Sequence, residues 1–137
     1  MSLFNVFEIS GSAMSAQSVR LNTIASNMAN ADVVGGDPEA TYRARYPVFS
    51  SLLSSAMDDT AAAGVKVDRI IESSAAPRKE HSPMHPLADD DGYIYMSNVN
   101  TVDEMANMIS ASRSYQNSVK AMETTKQLIM RTLSLGS

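Results

Sequence analysis

His81 and His85 stand four positions apart in the stretch HSPMHP. On a helix that spacing would offer two imidazoles to one metal ion. Pro83 and Pro86 forbid a helix there, so the pair reads as two histidines in a solvated loop. The stretch ADDDGYIYMSN (88–98) invites a calcium reading. With Gly92 at the turn position of an EF-hand loop, Asp89 and Asp91 would take the third and fifth ligand positions, but Leu87 would be first and Asn98 twelfth, with no bidentate glutamate. A turn leading into a strand is the better reading. Gly35–Gly36 lacks the Lys-Ser/Thr and the second glycine of a phosphate loop and reads as a flexible turn. No serine lies in a G-x-S-x-G elbow. Arg113 and Tyr115 could form a site in SASRSYQ, but Tyr115 reads as a core or interface anchor and Arg113 as a surface donor. Nothing pairs a nucleophile with a base. These residues point away from an enzyme, with no catalytic group, cofactor or metal site and no small-molecule substrate.

Composition narrows the choice further. The chain has 137 residues, room for one domain with a modest core. It holds no cysteine, which excludes disulfides, thiolate catalysis and Cys-ligated zinc. A net charge of −4 argues against nucleic acid, whose phosphates need a concentrated basic face. No apolar run approaches the ~20 residues of a membrane span. Arg20 is the first basic residue, so the N-terminus lacks the pattern of a cleaved signal, and composition alone suggests the cytoplasm.

Two long helices are expected at the ends of the chain. From about Leu3 to Ala31, Phe7, Met14, Leu21 and Met28 repeat every seven residues, Ile24 and Ala31 fill the intervening position, and Gln17 interrupts it. Ala13, Ala16, Ala25 and Ala29 form a second stripe of small residues, and Gly11 weakens the helix locally. From about Thr101 to Leu135, Val102, Met105, Met108, Ile109, Tyr115, Val119, Met122, Ile129 and Leu133 fit one helical face, with Lys126 on its edge. Thr101 and Glu104 have the spacing of a capping box, Asp103 adds charge near the positive end of the helix dipole, and Gly136 is a plausible stop.

The centre differs, holding all five prolines. TYRARYPVF (41–49) reads as a strand whose Pro47 puts it at an edge or an end, VKVDRII (65–71) as a strand, YIYM (93–96) as a short strand, and 77–92 as loop. SSLLSSAMDD (50–59) is ambiguous and could be a short helical turn. The expected fold is mainly α: long terminal helices paired as an elongated coiled coil, with a small irregular β-rich insertion. The boundaries are 1–33, 34–98 and 99–137.

Charge is the informative feature of the first helix. Residues 1–31 contain Glu8 and Arg20 as their only charged side chains, whereas 32–100 hold eleven acidic and six basic residues. Off the apolar stripe lie Ser12, Ser15, Ser18, Asn22, Thr23, Ser26, Asn27 and Asn30. A helix face exposed to water normally interleaves Lys and Glu. Small, neutral side chains instead allow close backbone approach and hydrogen bonding across a contact, which suits a helix touched on several sides by protein. Further copies or close relatives could supply those contacts. The expected assembly interface is Met14, Leu21, Ile24, Asn27, Met28 and Asn30 on the first helix, and Met105, Met108, Ile109, Tyr115, Val119, Met122, Ile129 and Leu133 on the second.

Two motifs carry a resemblance. SNMANAD (26–32) resembles the S-N-x-A-N signature of bacterial flagellar axial proteins, the rod, hook and hook-associated families. NVNTVDEMANMISASRSYQNSVKAMETTKQL (98–128) is similar to the proximal-rod branch, as are DDDGYIYMSNVN (89–100) and TYRARYPVF. Asp32-Val33-Val34-Gly35-Gly36 stands where many axial proteins have a Thr-x-Gly-Tyr/Phe turn. The resemblance implies a structural subunit of the basal-body rod in the periplasm, exported by the flagellar type III machinery without a cleaved signal. It implies terminal helices paired as an inner layer. It also implies further copies, other rod proteins, the rod–export junction and the surrounding membrane ring as partners. A different class of protein, a cytoplasmic helical adaptor or export chaperone using a Met-rich seam, is the alternative. The charge-poor first helix favours the subunit.

Overall fold

A computed structural model describes residues 3–53 and 63–135. Their elements run α1 (Leu3–Ala29), β1 (Val34–Gly35), β2 (Arg45–Leu53), β3 (Ala63–Glu72), β4 (Arg78–His81), β5 (Tyr93–Met96) and α2 (Thr101–Leu135). Two long helices therefore flank a β-containing middle, and the chain is mainly α. The strands at 93–96 and around 65–71 lie where alternation places them. The strand around Pro47 starts at Arg45 and runs on to Leu53, so the first part of SSLLSSAMDD is extended rather than helical. Its remainder, and the stop signal at Gly136, fall outside the described residues.

Two sequence expectations are corrected in the sheet. The segment 77–92 is not all loop: β4 forms within it and pairs antiparallel with β5, Arg78 opposite Met96 and His81 opposite Tyr93. Gly35 is not simply in a turn either, because Val34 and Gly35 pair antiparallel with Met96 and Tyr95. The three-stranded order is β1-β5-β4, and β2 and β3 form a separate two-stranded ribbon.

Local polarity hid β4 from sequence, since all four of its residues are exposed. Packing on its partner strand holds it. The Ser82 N–H donates to the Gly92 carbonyl at 2.9 Å, which makes Lys79/Tyr95 and His81/Tyr93 the non-hydrogen-bonded pairs, whose side chains approach most closely. Accordingly the Lys79 ammonium sits 3.9 Å from the Tyr93 ring centroid, and the His81 ring meets Tyr93 edge-on at 5.0 Å.

Asp89 closes this hairpin. Its carboxylate accepts from the Tyr93 N–H at 2.7 Å, the Asp91 N–H at 3.1 Å and the Tyr95 hydroxyl at 3.0 Å. Gly92 follows with φ +79°, and a Cβ there would lie 3.0 Å from Pro83 Cβ, so the turn demands glycine. The calcium-like spacing is thus the spacing of a turn in which one aspartate gathers backbone donors. Those donors, the Tyr93 N–H first, hold the Asp89 carboxyl below its ordinary range against the opposing effect of burial. Because the folded value is depressed, the stabilisation is present above the unfolded value near ~3.9 and is lost as pH falls through the folded one. The protection factors of the Asp91 and Tyr93 amides, taken against the intrinsic exchange rate at each pH, are expected to hold from neutrality to about pH 4 and to fall below it. Asp89→Asn should flatten that dependence.

The start of α2 corrects another expectation. Asn100, not Thr101, caps the helix: its Oδ1 accepts from the Val102 N–H at 3.0 Å. Glu104 is consequently not the partner in a capping box. Its side chain turns inward and is only 3 % exposed. Asn100→Ala should cost about 1 kcal/mol, read as a lower melting temperature.

The chain divides into two compact units. One gathers Met1–Leu21, Pro47–Arg69 and Ile109–Ser137; the other gathers Asn22–Tyr46 and Ile70–Met108. In the first, the ribbon touches α1 through Ser12. The Ser12 hydroxyl donates to the Ile9 carbonyl at 2.9 Å and accepts from the Val65 N–H at 3.2 Å. Gly64 permits this approach, for a Cβ there would lie 2.9 Å from Ser12 Oγ. In the second, the buried cluster is small: Ala31, Ala44 and Val99, with Tyr42 packed against it. So little apolar volume leaves polar contacts to define the geometry.

Candidate assembly site

Each helix has an inward face and a solvent face that can be read from its buried positions. On α2 the inward positions are Glu104, Met108, Ala111, Tyr115, Ser118, Met122, Thr125 and Ile129, in strict alternation of four and three. This seam is mixed in polarity, which is why choosing apolar residues alone misplaced it. Val102, Met105, Ile109 and Leu133, expected on the same face as Met108 and Tyr115, are instead exposed, Met105 by 53 % and Ile109 by 56 %. They share a heptad phase roughly a quarter-turn around the helix from the seam.

On α1, Ser10, Ala16, Thr23, Ile24 and Asn27 are buried, as is Ala31 just beyond the helix end. Met14, Leu21, Met28 and Asn30 are half-buried, and Phe7, which headed the expected stripe, is 42 % exposed. The solvent face consists of Ser15, Ser18, Asn22, Ala25 and Ala29, with Glu8 in line one heptad before Ser15. On α2, Met108, Tyr115, Val119, Met122 and Ile129 are half-buried, and Met122 reaches to within 3.6 Å of where a Gly11 Cβ would stand.

Part of the neutral polar face is therefore used inside the chain. Asn27 is 0 % exposed. Its Nδ2 donates to the Arg45 carbonyl at 2.9 Å and to Glu104 Oε2 at 3.2 Å. Its Oδ1 accepts from the Arg45 N–H at 2.9 Å and from the Tyr42 hydroxyl at 2.9 Å. Both amide hydrogens and both lone pairs are occupied. The amide binds the Arg45 backbone at two points, as a neighbouring strand would. Asn27 thereby joins the end of α1, the segment 42–45 and the first turn of α2. Asn30 has a local duty, donating to the Ser26 carbonyl at 2.7 Å and so capping the helix end, which has no glycine to do it.

A second asparagine completes the arrangement. Asn98 Oδ1 accepts from the Ala44 N–H at 2.7 Å, and its Nδ2 donates to the Ala75 carbonyl at 2.8 Å. Arg45 is held outside by Glu72 at 3.0 Å. Sequence reasoning did not single out Asn98, Glu104, Tyr42 or Arg45 as site residues. The four-three spacing through Glu104, Met108 and Ala111 was the available signal for Glu104. His81 packs on Tyr93, and His85 Nδ1 accepts from the Leu87 N–H at 3.1 Å; among the described residues no three metal-ligating side chains come together.

The asparagine pair that anchors α1 falls within residues 7–35, which match a family model described as flagella basal body rod protein. Residues 90–135 match a second, the C-terminal part of flagellar basal body rod FlgEFG proteins. The flagellar basal-body rod protein FlgC of Yersinia enterocolitica is 51 % identical over 136 residues, covering 99 % of both chains. That of Salmonella typhimurium is 48 % identical over the same length, and that of Buchnera aphidicola from Acyrthosiphon pisum 43 % over 138 residues, again with 99 % of each chain covered.

The chain belongs to the FlgC family of flagellar basal-body rod proteins. A FlgC-family chain is a structural component, which accords with faces built for packing. Among the described residues no helix is long and apolar enough to cross a membrane.

Proposed function

We propose that this chain is a structural subunit of the proximal rod of the bacterial flagellar basal body, assembling with other rod proteins and with further copies of itself. Full-length relatedness to FlgC proteins carries the reading. In it, segments 1–33 and 99–137 pair as a coiled-coil inner layer and 34–98 forms the outer, β-containing part. Among the expected interface residues, Met105, Ile109 and Leu133 contribute exposed apolar surface. Met14, Leu21, Met28, Asn30 and Val119 are half-buried beside the helix seams, Met108, Tyr115, Met122 and Ile129 lie half-buried in the α2 seam itself, and Ile24 and Asn27 act from inside. Export through the flagellar type III machinery without a cleaved signal would place the subunit in the periplasm, between the rod–export junction and the membrane ring.

Two observations support an assembling subunit over a chaperone. The solvent face of α1 carries no charge from Ser15 to Ala29, a face that costs little to desolvate. The exposed side of α2 carries bulky apolar residues in a regular phase. The test is fractionation of cells bearing a tagged chain. The tag is expected in purified basal bodies, and a deletion strain should lack a complete rod and fail to swim. A tag confined to the cytosol would establish the adaptor or chaperone instead.

A further inference from the structure

A cleft of about 550 Å³ lies within the unit built from Asn22–Tyr46 and Ile70–Met108, inside the usual range of ligand pockets, about 300–1,000 Å³. Tyr46 lines it and is 42 % exposed. Asp103 is exposed and Glu104 only 3 % so, which makes the one a rim group and the other part of the floor. No lysine, arginine or histidine lines the cleft. Among the described residues neither carboxylate joins an ion pair. Arg45 and Arg78, on adjoining segments, are committed to Glu72 and to the Ser97 carbonyl. Two amides of the lining are spent as well, Asn98 Oδ1 on the Ala44 N–H and Asn100 Oδ1 on the Val102 N–H.

Glu104 is the telling member. Asn27 needs only an acceptor there, which the amide oxygen of a glutamine would supply. A carboxylate at that depth carries a charge the Asn27 contact does not require, and a buried charge without a counter-ion is costly. The start of α2 offers the positive end of its dipole, but that amounts to roughly half a unit charge against two carboxylates. The Tyr46 hydroxyl responds to the surplus. Burial first, then Glu104 and then Asp103, raise its pKa above the ordinary phenol value.

We propose that this cleft receives the guanidinium of an arginine from a different protein of the assembly, which donates to Asp103, lies against the Tyr46 ring and offsets the charge of Glu104 beneath it. A planar cation suits the site better than an ammonium, because it stacks on an aromatic face while presenting a fork of donors to a carboxylate. The low-dielectric surroundings of Glu104 concentrate its field at the mouth of the cleft. A divalent ion fits less well, since no three metal-ligating side chains come together among the described residues. A second copy is a poor donor. In its middle segment Arg43, Arg45, Arg69 and Arg78 all have acceptors already, and residues 32–100 hold eleven acidic side chains against six basic ones.

The cleft belongs to the isolated chain, while the source of the arginine rests on the rod-subunit reading. Full-length chain is titrated with N-acetyl-arginine amide and followed by amide NMR shifts. Saturable shifts are expected at Tyr46, Asn100, Asp103 and Glu104, weaker with N-acetyl-lysine amide and absent with the uncharged citrulline analogue. Glu104→Gln keeps an acceptor for Asn27 and should still weaken binding by about tenfold. Asp103→Asn, at an exposed position, should weaken it several-fold and keeps the test valid if the first variant folds poorly. Equal shifts with all three probes, or arginine binding unchanged in both variants, would overturn the proposal. In cells, Ala106, exposed in the lining, is replaced by the photo-cross-linker p-benzoylphenylalanine, and basal bodies are purified after irradiation. The adduct is expected on an arginine-containing peptide of a different protein, and should be lost when that arginine becomes alanine or when Glu104→Gln is introduced. An adduct on a second copy of this chain, or one indifferent to both changes, would overturn the proposal and leave the subunit reading intact. Absence of the chain from basal bodies would overturn that reading, and with it the source of the arginine, whatever the titration shows.

Discussion

Replacing Asn27 with alanine is expected to lower the melting temperature by roughly 10–20 °C, monitored by near-ultraviolet circular dichroism of Tyr42, Tyr46, Tyr93 and Tyr95. Four of the five tyrosines belong to the unit built from Asn22–Tyr46 and Ile70–Met108, and Tyr115 to the other, so the signal is weighted toward the unit that Asn27 holds. The substitution strands the Arg45 N–H and carbonyl, the Tyr42 hydroxyl and the Glu104 carboxylate. A buried group left unpaired costs about 1–3 kcal/mol, more when charged. The Tyr42 hydroxyl keeps Ser26 Oγ at 3.3 Å, which softens one loss, so a total of about 3–5 kcal/mol is expected. Against a typical stability of about 5–15 kcal/mol, that is a large share.

The aspartate variant separates this account from simple loss of volume. Asn27→Asp keeps the shape but turns a carboxylate oxygen toward Glu104 and toward the Arg45 carbonyl. It should therefore be worse than alanine. Glu104→Gln alone should be mild, because an amide oxygen can still accept from Asn27. Combined with Asn27→Asp it should recover part of the loss by donating to the new carboxylate. If aspartate is tolerated as well as alanine, the hydrogen-bond account is wrong.

The second large effect is on assembly and leaves the fold in place. Met105→Glu with Ile109→Glu changes two side chains that are more than half exposed, so the isolated chain should melt within about 0.5 kcal/mol of the parent. If this side of α2 is buried in the proposed assembly, two unpartnered carboxylates there cost several kcal/mol each, enough to reduce incorporation into basal bodies by about a hundredfold or more. Incorporation is read by immunoblot of purified basal bodies and motility on soft agar. Normal incorporation of the double variant would show that this side of α2 faces water in the assembled rod. Leu133→Glu, in the same phase near the other end of the helix, provides an independent reading of how far the contact extends.

The amino-acid sequence by itself determined the two terminal helices, the strands at 93–96 and around 65–71, the absence of charge along α1, and through SNMANAD and the 98–128 block the family. Period and composition are local properties, and long helices with a regular repeat express them most clearly. Which face of each helix turns inward was decided by tertiary structure. The α2 seam includes Glu104, Ser118 and Thr125, because a polar side chain can be buried wherever it finds a partner; Ser118 and Thr125 donate to the Ser114 and Ala121 carbonyls one turn back. For Glu104 that partner lies 77 positions away. The four-residue strand β4 was hidden for the same reason: Arg-Lys-Glu-His has no strand-like pattern until Tyr93 and Tyr95 stand opposite it. The asparagines were conspicuous from the start as uncharged, hydrogen-bonding residues near a helix end. That Asn27 acts as a surrogate strand partner inside the chain, while Ser15, Ser18 and Asn22 remain outside, depends on where residues 42–45 come to rest, and long-range packing alone fixes that position.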